Sequence, residues 1–213
     1  MDNRTFSHVL LDQFEGRSGG SNTRFRWDGE GWIGTDWNRL WIKSEGFVDH
    51  SSVSDGDQEL LYDRPIPRMK YFDAQVGVRA DLDSGPARVW SAVGIEGLAP
   101  YSFEFAPTLY IRNDGRVAGR INGAYSLRFT QRTVLEPQVE LNFYSKDDPE
   151  REIGSGFSDL DSGLRLRYEI NRKFAPYVGY TYEGAFGGSA KYRSNNGEAV
   201  GTSSFVFGVR IWH

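Results

Sequence analysis

The chain keeps two opposite faces. In KYFDAQVGVRADLD (70–83), Phe72, Ala74, Val76, Val78, Ala80 and Leu82 take every second position, and Asp73, Gln75, Arg79 and Asp81 are interleaved among them. Side chains on a pleated backbone point alternately to its two sides, so such a stretch is a strand with one apolar and one polar face. The alternation recurs along the chain. Val117, Ile121, Tyr125, Leu127 and Phe129 share one parity against Arg116, Arg120, Asn122, Ser126 and Arg128. Leu135, Val139, Leu141 and Phe143 oppose Glu136, Gln138, Glu140 and Asn142, while Leu160, Leu164, Leu166, Tyr168 and Ile170 oppose Asp161, Arg165, Arg167 and Glu169. Clusters of Gly, Pro, Asn and Asp break the pattern, and nowhere does it give way to a convincing helical period. It predicts about twelve strands, over 5–15, 24–36, 39–49, 57–64, 70–83, 87–97, 101–112, 116–129, 132–145, 157–170, 174–186 and 202–212.

A charged face on each strand suits a soluble antiparallel sheet with one face in water, and equally a barrel whose apolar face meets lipid. The connections discriminate between the two. Outer-membrane barrels use an even number of antiparallel strands and alternate short periplasmic turns with longer outer loops. Counted back from the C-terminus, the short turns fall near Trp37, Pro67, Ala99, Thr130 and Arg172. The opposite side receives GRSGGSNT, DHSSVSDGD, DSGP, NDG, SKDDPEREIGSG and GGSAKYRSNNGEAVG. The parity closes if residues 5–15 form the first strand and pair with 202–212, which puts both termini on the periplasmic side. Trp37, Trp41, Tyr71, Tyr101, Phe129, Tyr177 and Trp212 then fall near periplasmic ends, and Trp27, Phe47, Trp90, Tyr144, Phe157 and Phe186 near outer ends, as two aromatic girdles. The fold expected is all-β: a closed antiparallel transmembrane β-barrel forming a single domain over 1–213.

Composition agrees with this reading and removes other function classes. Only 38% of the 213 residues are hydrophobic while 15% are aromatic, which fits neither a large soluble core nor a disordered chain. The 25 basic residues are spread out and outnumbered by 29 acidic ones, so no nucleic-acid partner is expected. Without cysteine there is no disulfide framework, thiolate metal site or thiol nucleophile. No apolar run reaches the roughly 18 residues of a transmembrane helix, and the N-terminus lacks the form of a signal peptide. Either the chain is cytosolic, or a targeting segment has been removed and Met1 is an added start; the strand pattern favours the second.

Several long, ordered blocks carry a resemblance: GWIGTDWNRLWIKSEG (31–46), VGIEGLAPY (93–101), FTQR (129–132), GSGFSDLDSGLRLRYEINRKFAPYVGY (154–180) and FGVRIW (207–212). Together they resemble the copper resistance protein B family over nearly the whole chain. The resemblance implies an outer-membrane barrel of Gram-negative bacteria, serving copper tolerance alongside periplasmic copper-handling proteins. It does not imply a direction of copper movement. Two departures stand out. Members usually carry a Met- and His-rich extension before the barrel, whereas this chain opens directly on DNRTFSHVLLD. The final residue is His213 where an aromatic is usual.

Copper prefers imidazole and thioether ligands, and divalent copper also accepts carboxylate. The inventory is thin: His8, His50, His213, Met1 and Met69. His8 and Asp12 share a face, but four residues along a strand separate backbones by about 13 Å, so they do not chelate one ion alone. His8, Asp12, Glu45, Glu59 and Glu104 are the candidate metal residues, with Asp73 and Glu96 as further carboxylates along a cation path. Arg120, Arg128, Glu136, Glu140, Arg165, Arg167 and Glu169 sit on adjacent strands as a lumen ion-pair ladder that fills space. The barrel is therefore expected to bind copper weakly, with outer-membrane lipid and a periplasmic copper-handling protein as partners. Two other readings stay open, a passive small pore or plugged structural barrel, and a phospholipase-like enzyme using His50 and Ser52 of DHSS (49–52). A flexible Ser- and Asp-rich loop is a poor place to orient such a pair, so no enzyme is expected.

Overall fold

The computed structural model describes residues 4–19, 22–49, 52–82, 87–99 and 102–213. Twelve strands are joined edge to edge in one antiparallel sheet: β1 Phe6–Gly19, β2 Asn22–Gly34, β3 Arg39–Asp49, β4 Ser52–Pro65, β5 Phe72–Asp81, β6 Arg88–Ala99, β7 Phe103–Ile111, β8 Val117–Tyr125, β9 Thr133–Tyr144, β10 Gly156–Tyr168, β11 Phe174–Ala185 and β12 Gly201–Trp212. Leu127–Arg128 prolongs β8 past a break at Ser126 and pairs with β9. Each strand bonds to its sequence neighbours, and β1 closes on β12 from Leu10↔Trp212 to Ser18↔Phe205. Closure removes every free sheet edge, which a spanning structure in lipid requires. β1 begins and β12 ends at one end of the barrel, called the terminal end; the other is the loop end.

The alternation read in the sequence maps onto the two faces of the wall. On β5, Ala74, Val76 and Val78 are exposed outward and Gln75, Arg79 and Asp81 are buried inward. Val139, Leu164, Leu166, Val178, Phe205 and Phe207 continue the outward apolar band. The polar interior carries Glu15, Arg17, Arg79, Arg120, Arg165 and Arg167, all buried. This inversion of a soluble core follows from the solvent: hydrocarbon contacts the outside, and charges pair inside.

Several sequence expectations need correction. The connection after β11 contains a helix, α1 Gly187–Asn195, and a 3₁₀ turn occupies Pro149–Arg151. Of α1 only Ser189 is buried, so the helix has no apolar stripe for a periodicity to register. β1 runs on to Gly19 and β4 begins at Ser52, so GRSGGSNT and DHSSVSDGD are largely ladder rather than loop. Four residues assigned to the girdles, Trp41, Phe47, Trp90 and Tyr177, are buried within the lumen. Distance from a turn placed them at the right height, but strand parity decides the face, and their parity is inward.

Candidate functional site: a half-filled lumen

The lumen is built unevenly. Around β9–β12 and β1 it is packed, and the local cause is a β-bulge. Between Leu11 and Gln13 the register of β1 slips against β2 by one residue. A one-residue slip exchanges the two faces of a strand. His8 and Leu10 stand opposite Trp32 and Glu30 before the slip, and Gln13, Glu15 and Arg17 stand opposite Asp28, Arg26 and Arg24 after it. Both stretches of β1 thus send side chains inward.

Glu15 is fully buried and forms the hub of the packed side. Arg165 donates to both its carboxylate oxygens, Nε at 2.9 Å and Nη2 at 2.8 Å, while Arg17 Nε and the Tyr177 hydroxyl each donate at 2.9 Å. Gly208 makes room for the hub, because a Cβ there would sit 2.7 Å from the Tyr177 hydroxyl and from Glu15 Cβ. Arg17 also reaches Asp161 and Glu183, each at 2.8 Å. Phe47 lies beneath three guanidinium groups, those of Arg17, Arg24 and Arg26, at 4.8–5.0 Å from its ring centre. Cation–π contact offsets part of the mutual repulsion of those groups.

Around β2–β8 the lumen is open. A cavity of about 750 Å³ is lined by ten carboxylates and five cations, so it is acidic. Its lining runs from Pro65, Lys70, Tyr71 and Leu98 at the terminal-end turns to Asp57, Tyr110 and Arg120 halfway along the barrel. The space exists because the inward residues of β7 and β8 are short there: Ala106, Thr108, Asn122 and Ala124. Trp41 and Asn122 line it, their buried Nε1 and Oδ1 atoms have no hydrogen-bond partner among the described residues, and Lys43 stands 5.3 Å over the Trp41 ring.

Halfway along, the cavity ends on a charged floor. Arg120 bridges Glu45 and Asp57, Arg79 binds Asp57 at 2.8 Å and Asp81 at 2.7 Å, and Tyr110 donates to Glu59 at 2.6 Å. Beyond it, loop 145–155 folds over the loop end. Arg88 and Arg116 hold its Asp148, its Arg151 reaches down to Asp81 at 3.5 Å, and its Gly154 amide donates to the Ser189 hydroxyl of α1 at 2.7 Å.

The sequence candidates are distributed over these features. Glu45 is in the floor and Glu59 is bonded to Tyr110. Glu104 lines the cavity with no ion pair or hydrogen bond to its side chain among the described residues. Asp12, the bulge residue, pairs with Arg210. His8 is half-buried between the rings of Trp32 and Trp212, at 6.3 and 5.9 Å, and does not join Asp12 in a chelate. Of the ladder residues, Arg167 pairs with Glu136 at 2.8 Å and stands 3.9 Å from Glu169, and Arg120 is 3.4 Å from Glu140. Arg165 is drawn across to Glu15 and also donates to Gln138 of β9 at 2.8 Å, rather than pairing with Glu136 or Glu140. Arg128 is a correction: it is exposed past the break at Ser126 and makes no ion pair among the described residues. Among those residues no cluster of three His, Cys, Asp or Glu is arranged to hold a metal ion. His50 and the Ser52 side chain lie outside the described residues. Glu15, Asp28 and Glu30 were not singled out from sequence; the adjacent Leu10 and Leu11, which break the alternation of β1, were the signal for the bulge.

A closed twelve-stranded wall, apolar outside and charged inside, defines a β-barrel of the outer-membrane type. Its fold is similar to that of the NanC porin (TM-score 0.58, 14% identity, covering 97% of this chain and 99% of that one) and of the KdgM porin (TM-score 0.53, 12% identity, 97% and 98%). Residues 5–213 match the family described as copper resistance protein B precursor (CopB), and the chain belongs to that family. It is 40% identical over 204 residues to copper resistance protein B of Escherichia coli, covering 96% of this chain and 68% of that protein. It is 35% identical over 211 residues to the copper resistance protein B homolog of Pseudomonas syringae pv. tomato (strain ATCC BAA-871 / DC3000), covering 99% and 71%.

Proposed function

We propose that the protein is a non-enzymatic copper-handling barrel of the Gram-negative outer membrane, a single domain with both termini in the periplasm. Its acidic cavity acts as a vestibule that takes copper ions from the periplasmic side. The observation that carries the reading is the cavity itself: it opens at the terminal end, and its carboxylates outnumber its cations two to one. Asp28, Glu30 and Glu104 line it without ion pairs among the described residues, leaving their carboxyl oxygens available to a cation. The donor set is oxygen-rich and lacks thioether, so it fits divalent copper held loosely and exchanged quickly. Loose holding also suits permeation, since an ion must leave a pore as readily as it enters.

The packed floor and loop 145–155 support a vestibule over a passive general pore, because passage requires the Arg120–Asp57–Arg79 layer to part. A periplasmic copper-handling protein delivers or collects the ion in this scheme. Copper flux into vesicles containing the full chain tests it. Asp28→Asn, Glu30→Gln and Glu104→Gln together should cut flux about tenfold without altering the folded fraction, three neutralised charges removing most of the local attraction. Unchanged flux in that variant contradicts the vestibule.

A further inference from the structure

Exposed cations outnumber exposed carboxylates on the terminal-end turns, where Asp36 of the β2–β3 turn is an exposed acid. Arg64 and Arg68 lie at the β4–β5 connection, Arg132 before β9, and Arg172 and Lys173 before β11. All five are exposed, and their side chains make no ion pair or hydrogen bond among the described residues. At the loop end the arginines are paired, Arg24 with Glu183, Arg112 with Asp114, and Arg88 and Arg116 with Asp148, while exposed Lys146 and Lys191 make no ion pair among the described residues. None of the described residues supplies these five terminal-end cations with an anion.

Their surroundings indicate which anion. Exposed Tyr71 and Phe129 stand on two of these turns, and exposed Trp37 on the β2–β3 turn at the same end, at the edge of the apolar band, which is the level of lipid headgroups. The cations are spread over three separate turns around the circumference, where an annulus of lipid touches all of them at once. A protein docked on one side would meet only some. Guanidinium groups bind phosphate through paired N–H donors, and cations beside a membrane attract anionic lipid.

We infer that the terminal-end turns form a collar that binds the headgroups of anionic glycerophospholipids. The inference is independent of copper, so it stands or falls apart from the vestibule. The test uses the full chain in nanodiscs of phosphatidylcholine with about one third phosphatidylglycerol, followed by native mass spectrometry of the lipids retained on the released barrel. Roughly fivefold enrichment of phosphatidylglycerol is expected, weakening in high salt. Arg68→Gln, Arg132→Gln, Arg172→Gln and Lys173→Gln combined should bring the ratio near one, while Lys146→Gln with Lys191→Gln at the loop end should leave the enrichment intact. Heat-modifiable gel migration verifies folding of each variant. Equal retention of both lipids by the unaltered chain overturns the collar, as does enrichment that survives the fourfold change. A crosslinker placed at Arg132 that captures a periplasmic protein while phosphatidylglycerol is not enriched assigns the cations to a protein partner instead, and also overturns it.

Discussion

The two sides of the lumen are made from the same residue classes at the same inward parity, yet one is solid and the other hollow. On the solid side, long side chains of β1, β10 and β11 meet: Arg165 reaches Glu15 across the closure of the barrel, and Arg17 reaches Asp161 and Glu183. Small residues such as Gly208 give them room. On the hollow side most facing residues of β7 and β8 are short, and Asp28 and Glu30 of β2 and Glu104 of β7 have no cation to pair with among the described residues. Alternation chooses which face is inside, whereas side-chain length and local charge balance choose whether the inside is filled.

The comparison breaks most sharply at Glu15. Glu15→Ala leaves two buried guanidinium groups without their shared anion and should cost about 3–5 kcal/mol in urea unfolding of the membrane-inserted barrel. Glu104→Gln, on the hollow side, should stay within about 0.5 kcal/mol. Equal losses at the two sites would erase the distinction. A smaller stability effect is expected for Gly208→Ala, whose new methyl meets Tyr177, Glu15 and the Phe14 carbonyl; overpacking there should cost about 1–3 kcal/mol. Arg79→Ala tests the floor between the regions. Removing its bonds to Asp57 and Asp81 should raise single-channel conductance from baseline to a resolvable level, and a silent channel would place the block in loop 145–155.

The smallest effect lies in that loop. The Ser155 amide donates to the Asp147 carboxylate at 2.6 Å, and this bond holds the carboxyl below its ordinary range. A lowered folded-state pKa contributes order that is present above the ordinary carboxylate value and lost as pH falls through the lowered one. Protection of the Ser155 amide from hydrogen exchange should therefore fade on acidification, and Asp147→Asn should remove that pH dependence.

Much of this architecture was legible because lipid imposes a strict period of two. Val76, Val139 and Leu164 lie on the outward face that their parity predicted, and the closure of 5–15 on 202–212 followed from counting strands. Parity read strand by strand fails at a bulge, which is why Gln13, Glu15 and Arg17 escaped notice while His8 and Asp12 drew it. Trp41 and Trp90 were misplaced because aromatics near turns suit a girdle and a lumen filler equally well. The hollow was not legible at all, since a cavity depends on which strands face each other across the barrel. Asp28 and Glu30 became site residues only when short side chains opposite them were known.

Calorimetric titration of the full chain with divalent copper tests most directly the proposal that the hollow side holds copper loosely through oxygen. Weak binding is predicted, falling at least tenfold when Asp28→Asn, Glu30→Gln and Glu104→Gln are combined and nearly unchanged by His8→Ala. A tight site that ignores the three carboxylates would contradict it.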